Sequence, residues 1–166
     1  MNLSAEQAKA IADYTLADYE RDRNVTRGVI GAIPDADLNY SPDPKSMKAL
    51  DLAWHAASAE WFFLNSVCEG QFSAGESKRP ENIHNAQDVL VWYEKNVPPA
   101  LERAKALSGQ HLAKPIDFFG TMQAPAVWYL TLMVKHGAHH RGQLSTYLRP
   151  MGAKVPSIYG PSGDSH

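Results

Sequence analysis

The chain has 166 residues and a mass of 18.3 kDa, enough for one domain over 1–166 that buries roughly 70% of its unfolded surface. Sixteen Lys and Arg against eighteen Asp and Glu give a net charge of −2 without a long run of either sign, which argues against nucleic acid or an anionic membrane as partner. Residues 1–14 mix Glu6, Lys9 and Asp13 with alanines, unlike a signal peptide, no apolar run approaches the ~20 residues of a membrane span, and Cys68 has no second cysteine to pair with. The expectation is a soluble, cytoplasmic protein in which Cys68 is an inert buried thiol.

Ser4 and Gln7 have the spacing of a capping box and predict a first helix over about 4–33, stopped by Pro34. Ile11, Tyr14, Val25 and Val29 fall on compatible helical spacings, with Asp18 and Asp22 interrupting the same side. Residues 35–45, with Pro42 and Pro44, read as a loop. A second helix is predicted over 46–69, where Leu52, His55, Ala59, Phe62 and Phe63 recur at steps of three and four. Residues 70–84 form a further connection, and a third helix follows over about 87–107. Pro98 and Pro99 remove two backbone donors from it, so a kink or break is expected near Asn96. Residues 108–123 read as another connection and 124–148 as the fourth helix, with Pro125 in its first turn and Pro150 and Gly152 beyond its end. The tail, 153–166, is rich in Pro, Gly and Ser and is expected to pack as an extended strap or fray.

Four segments of about twenty residues, each ~30 Å long, bury their apolar faces most simply as an all-α four-helix bundle. The connection over 70–84 can extend to roughly 50 Å, enough to run the length of the bundle, so an up-down-down-up order with long crossovers is available, and short β pairing within the loops remains open.

Three of the seven histidines, His136, His139 and His140, fall within five residues. Residues four apart share a helical face with Cβ atoms ~6 Å apart, which lets His136 and His140 hold one ion. His139 points about 100° from His140 and is left out. The glutamate that would follow the first histidine in a zincin is replaced by Gly137, so that hydrolytic arrangement is not supported. The third ligand must come from elsewhere, and His55, on the apolar face of the second helix, is the best candidate. Against this stands a plain alternative, in which His55 is a satisfied core histidine and the other three form a solvated face. Trp54, Trp61, Trp92 and Trp128 are read as core or interface residues, and His84, His111 and His166 receive no role.

The run from His136 through His140, Arg141, Gly142, Gln143 and Tyr147 to Gly152 resembles the terminal-helix motif of the DinB-like (DinB/YfiT) family. Leu52-Ala-Trp-His55 is similar to that family's second-helix motif, and Val155 to Pro161 to a tail found in one of its branches; the match runs from about residue 5 to 161. The resemblance implies an up-down-down-up bundle, a homodimer, and one divalent transition metal per chain on His55, His136 and His140, with zinc or nickel ahead of iron or copper. Arg141, Gly142 and Gln143 belong to the motif without binding metal: Arg141 pairing with an acid, Gly142 permitting close helix approach, and Gln143 bonding a ligand histidine. Three ligands leave positions open for water or substrate, the layout of a catalytic site. Members of the wider superfamily include bacillithiol S-transferases and mycothiol-dependent maleylpyruvate isomerase, which makes a metal-dependent transferase acting on a small-molecule substrate with a low-molecular-weight thiol the first expectation. The alternatives are a hydrolase using metal-bound water, with Asp18 or Asp22 as base, and a non-catalytic metal-binding or stress-response protein.

Overall fold

The computed structural model describes residues 2–74 and 78–165; Gly75 and Ser77, expected within a loop, and His166 lie outside them. Four long helices dominate: α1 (Ala5–Gly31), α2 (Ala49–Glu69), α3 (Ala86–Lys105) and α5 (Ala126–Leu148), with a short α4 (Gly109–Ala113) and two strands, β1 (Pro115–Phe118) and β2 (Met122–Pro125), before the last. The expected capping box is present: Ser4 Oγ accepts from the Gln7 N–H while the Gln7 side chain accepts from the Ser4 N–H. Asn85 caps α3 in a similar way, accepting from the Asp88 N–H.

Side-chain pairs give the direction of each helix. Lys9 Nζ reaches the Lys105 carbonyl at 3.0 Å and Arg27 pairs with Glu94 at 2.7 Å, so α1 and α3 are antiparallel. Trp54 packs on Trp92 and Glu69 pairs with Arg103, so α2 and α3 are parallel. His55 meets His140 while Phe63 meets His136, so α2 and α5 are antiparallel. The bundle is therefore up-down-down-up, with α1 and α2 each packed between α3 and α5. The parallel α2 and α3 require the connection from Gly70 onward to return along the bundle before α3 begins.

Two expectations fail on particular residues. On α1, Tyr14 is 77% exposed and Ile11 36%, and the buried stripe is instead Ala8, Ala12, Leu16, Tyr19, Asp22, Thr26 and Val29. Asp22 belongs to that stripe rather than interrupting it, because a buried arginine meets it there. On α3, the break allowed for near Asn96 is absent, and the helix continues through Pro98 and Pro99. The carbonyls that lose their donors belong to the exposed Glu94 and Lys95, where water can take the place of the missing N–H groups, while Tyr93, Val97, Ala100, Leu101 and Ala104 hold the opposite face in the core.

Residues 108–123 fold further than the connection expected of them. The hairpin pairs Phe118 with Met122 across a turn in which Thr121 N–H donates to the Phe118 carbonyl. Phe119 and Gly120 both take positive φ, 53° and 72°, in that turn, a conformation that Gly adopts freely and Phe does not. The tail packs as a strap: Val155 and Ile158 rest against the core, and Asp164 accepts from Arg149 and from the Val155 N–H. Among the described residues no helix is long and apolar enough to cross a membrane.

Candidate metal centre

The antiparallel contact of α2 and α5 brings His55, His136 and His140 together, as the spacing and the second-helix pattern predicted. His140 Nε2 stands 3.1 Å from His55 Nε2 and 3.1 Å from His136 Nε2, and the three ligand nitrogens all lie within 4.8 Å of one another. Tetrahedral Zn–N bonds of about 2.0–2.1 Å place two nitrogens roughly 3.3 Å apart, so the spacing suits one ion shared by imidazoles.

The protonation states suit it as well. Burial, followed by the neighbouring His140, His55 and His139, pushes His136 down to about 4. His55 is lowered by burial alone. Burial also lowers His140, with Gln143 pulling the other way and His55 and His139 adding to the fall. All three shifts favour the neutral ring, which keeps a lone pair for an ion. Gln143, expected beside a ligand histidine, accepts from His140 Nδ1 at 3.0 Å. With the proton on Nδ1, the His140 Nε2 lone pair points to the other two rings. His139 packs edge-on against His140 and is outside the cluster, as its angle predicted.

Neither aspartate considered as a base faces the histidines. Asp18 is half-buried and paired with Arg21 at 3.2 Å. Asp22 is held at 2.5 Å by Arg141 and accepts from Tyr159. Both line a separate hollow of about 410 Å³ between α1, α5 and the tail.

A second polar cluster lies one turn away. Glu60, 1% exposed, accepts from Tyr19 (2.6 Å), Thr26 (2.9 Å) and Tyr93. Arg141, 2% exposed and next to His140 in α5, faces Glu60 at 3.7 Å and donates to Asp22, Thr26 and Tyr159. The pairing anticipated for Arg141 is thus with two acids, and it joins α1, α2, α3, α5 and the tail. Gly137 is the clearance for this pair: a Cβ there would lie 3.0 Å from Arg141 Nη1 and 3.2 Å from Glu60 Oε1. Gly142, expected to permit close helix approach, has nothing within 4 Å of where its Cβ would be. The close approach belongs to Gly137 instead.

The model of the DinB family matches residues 7–165. The chain belongs to the DinB family. YrdA, an uncharacterised protein of Bacillus subtilis, is 26% identical over 90% of this chain and 89% of its own length. YjoA, another uncharacterised protein of B. subtilis, is 29% identical over 78% of this chain and 84% of its own. The crystal structure of YjoA, a DinB-like protein, superposes with a TM-score of 0.71 over 92% of this chain and 99% of that one, at 25% identity. A DinB-like protein of Bacillus cereus gives 0.74 over 87% and 95%, also at 25% identity.

For this DinB-family chain, sequence reasoning located the histidines and missed Glu60. The available signal was a glutamate among Ala53, Ala56, Ala57, Leu64 and Val67 on the buried side of α2, a position that an acid occupies only when paired.

Proposed function

We propose that His55, His136 and His140 hold one divalent transition metal, and that the chain is a metal-dependent transferase acting with a low-molecular-weight thiol on a small-molecule electrophile. The observation that carries this reading is the convergence of three imidazole nitrogens from two helices, with no carboxylate or thiol of the described residues among them. Imidazole donors suit zinc, nickel, iron or copper. When bound, such an ion supplies Lewis acidity and lowers the pKa of a coordinated thiol. The chain's own residues provide the rest: α2 and α5 set the three rings, Gln143 fixes the His140 tautomer, and Phe63 closes one side against the His136 ring at 5.8 Å. Cys68 is no competing nucleophile, because burial raises its thiol and it lies against the Ala100 carbonyl on the α3 side.

Hydrolysis finds less support, since Asp18 and Asp22 are engaged elsewhere. A purely structural metal finds less support too, because the Glu60–Arg141 cluster already ties all four helices together. The reading includes a homodimeric, cytoplasmic protein working as one domain, which sedimentation and fractionation test directly.

The test is metal content of untagged protein, for the wild type and for His55→Ala, His136→Ala and His140→Ala. Near one metal per chain, lost in each folded variant, with metal-dependent consumption of a thiol and an electrophile, is the expected result. Metal bound without any thiol turnover above the metal-free control overturns the transferase reading, and no metal even after reconstitution overturns the site.

A further inference from the structure

A pocket of about 540 Å³ adjoins the histidine cluster, with Met47, Asp51, Trp54, His55, Lys78 and Arg79 as its walls. Its volume lies in the range of small-molecule sites, roughly 300–1,000 Å³. It reaches His55 itself, whose Nε2 is 3.1 Å from that of His140, so a molecule in the pocket touches the candidate centre.

The walls are asymmetric in charge. Two cations, Lys78 and Arg79, face one acid, Asp51. Arg79 is pre-set: its Nε pairs with Asp51 at 2.9 Å and its Nη1 donates to the Ile83 carbonyl. Lys78 makes no ion pair among the described residues. Trp54, 95% buried and one residue from His55, supplies an aromatic wall between these charges and the candidate ligand.

A cation with no ion pair among the described residues and a guanidinium already held in place describe a wall that calls for acceptors and negative charge. A carboxylate supplies both, as an acceptor-only group with two oxygens. We infer that this pocket binds the carboxylate of the thiol cosubstrate, with Lys78 as the residue that selects an anionic thiol over a neutral one. The inference rests on the thiol reading above and adds the chemical class of that thiol.

The experiment uses nickel- or cobalt-loaded full-length protein, in which sulfur ligation is read from its charge-transfer absorption. Two probes of equal length are titrated, 3-mercaptopropionate and 3-mercaptopropan-1-ol. The acid is expected to bind about tenfold more tightly at low salt, with the preference shrinking at high ionic strength. Lys78→Gln brings the two within about twofold, and Lys78→Arg keeps the preference. Equal affinities in the wild type, or a preference that survives Lys78→Gln, overturns the inference and leaves the thiol reading standing. If neither probe gives the sulfur band, the thiol reading fails, and calorimetry with propionate decides the pocket: binding that is lost in Lys78→Gln upholds an anion site, and no binding removes it as well.

Discussion

Two polar clusters sit side by side between α2 and α5, and they differ in whether their charges are paired from within. Around Glu60 and Arg141, acids face a cation and hydroxyls face carboxylates: Tyr19, Thr26, Tyr93, Asp22 and Tyr159 pair within the network, which leaves Arg141 Nε buried without a partner among the described residues. At His55, His136 and His140, three imidazole rings turn their nitrogens toward one another with no acid of the described residues among them. A network whose charges are paired from within holds the helices in register. An open one has donor capacity left over for an ion, and the difference is built from residues that are neighbours in sequence, His140 beside Arg141 and His136 beside Gly137.

The sharpest way to break the distinction is to open the closed cluster. Arg141→Leu leaves Glu60 and Asp22 buried without their cation, and urea denaturation is expected to show a loss of about 3–5 kcal/mol. A loss under about 1 kcal/mol would mean that the network contributes little to the bundle. Gln143→Leu probes the other cluster. It removes the acceptor that fixes His140, so metal affinity is expected to fall about 10–100-fold by competition with a chelator, while the fold is retained.

The smallest effect separates the clusters by pH. The histidines are lowered in the folded protein, His136 to about 4, so the unfolded chain binds more protons between about 6.5 and 4. Metal-free protein is therefore expected to lose stability as pH falls through that window, and His136→Ala should flatten the slope. Burial raises Glu60, against the donors from Tyr19, Tyr93 and Thr26 and the charge of Arg141, so there the folded state binds more protons. Stability is expected to fall as pH rises above the ordinary carboxylate value, a slope that Glu60→Gln removes. Denaturant midpoints across pH for the two variants distinguish these opposite signs.

The open cluster was legible in the sequence because its grammar is local: two histidines four apart on one helix, and a third on an apolar stripe. The four long helices and their order were legible too, since capping residues and breakers carry them, whereas loop lengths only made the up-down-down-up directions available and the family resemblance implied them. The closed cluster was not. Asp22 looks like a flaw in the α1 stripe and Glu60 like a surface acid until Arg141 arrives from α5, 119 residues beyond Asp22. No periodicity within one helix encodes a partner on another. Likewise the prolines of α3 are helix breakers by local rules, and only the packing of Tyr93, Val97 and Ala100 overrides them.

The sequence separation of these pairs also sets a timetable. His55 and His140 are 85 residues apart, and at about 5–20 residues per second a ribosome takes roughly 4–17 s to supply the second after the first. Over that interval α2 exists without α5, with His55 lacking its companions and Glu60 lacking its cation. Neither cluster can form until the last helix is made, so α5 completes both, and a chain truncated before His136 has neither.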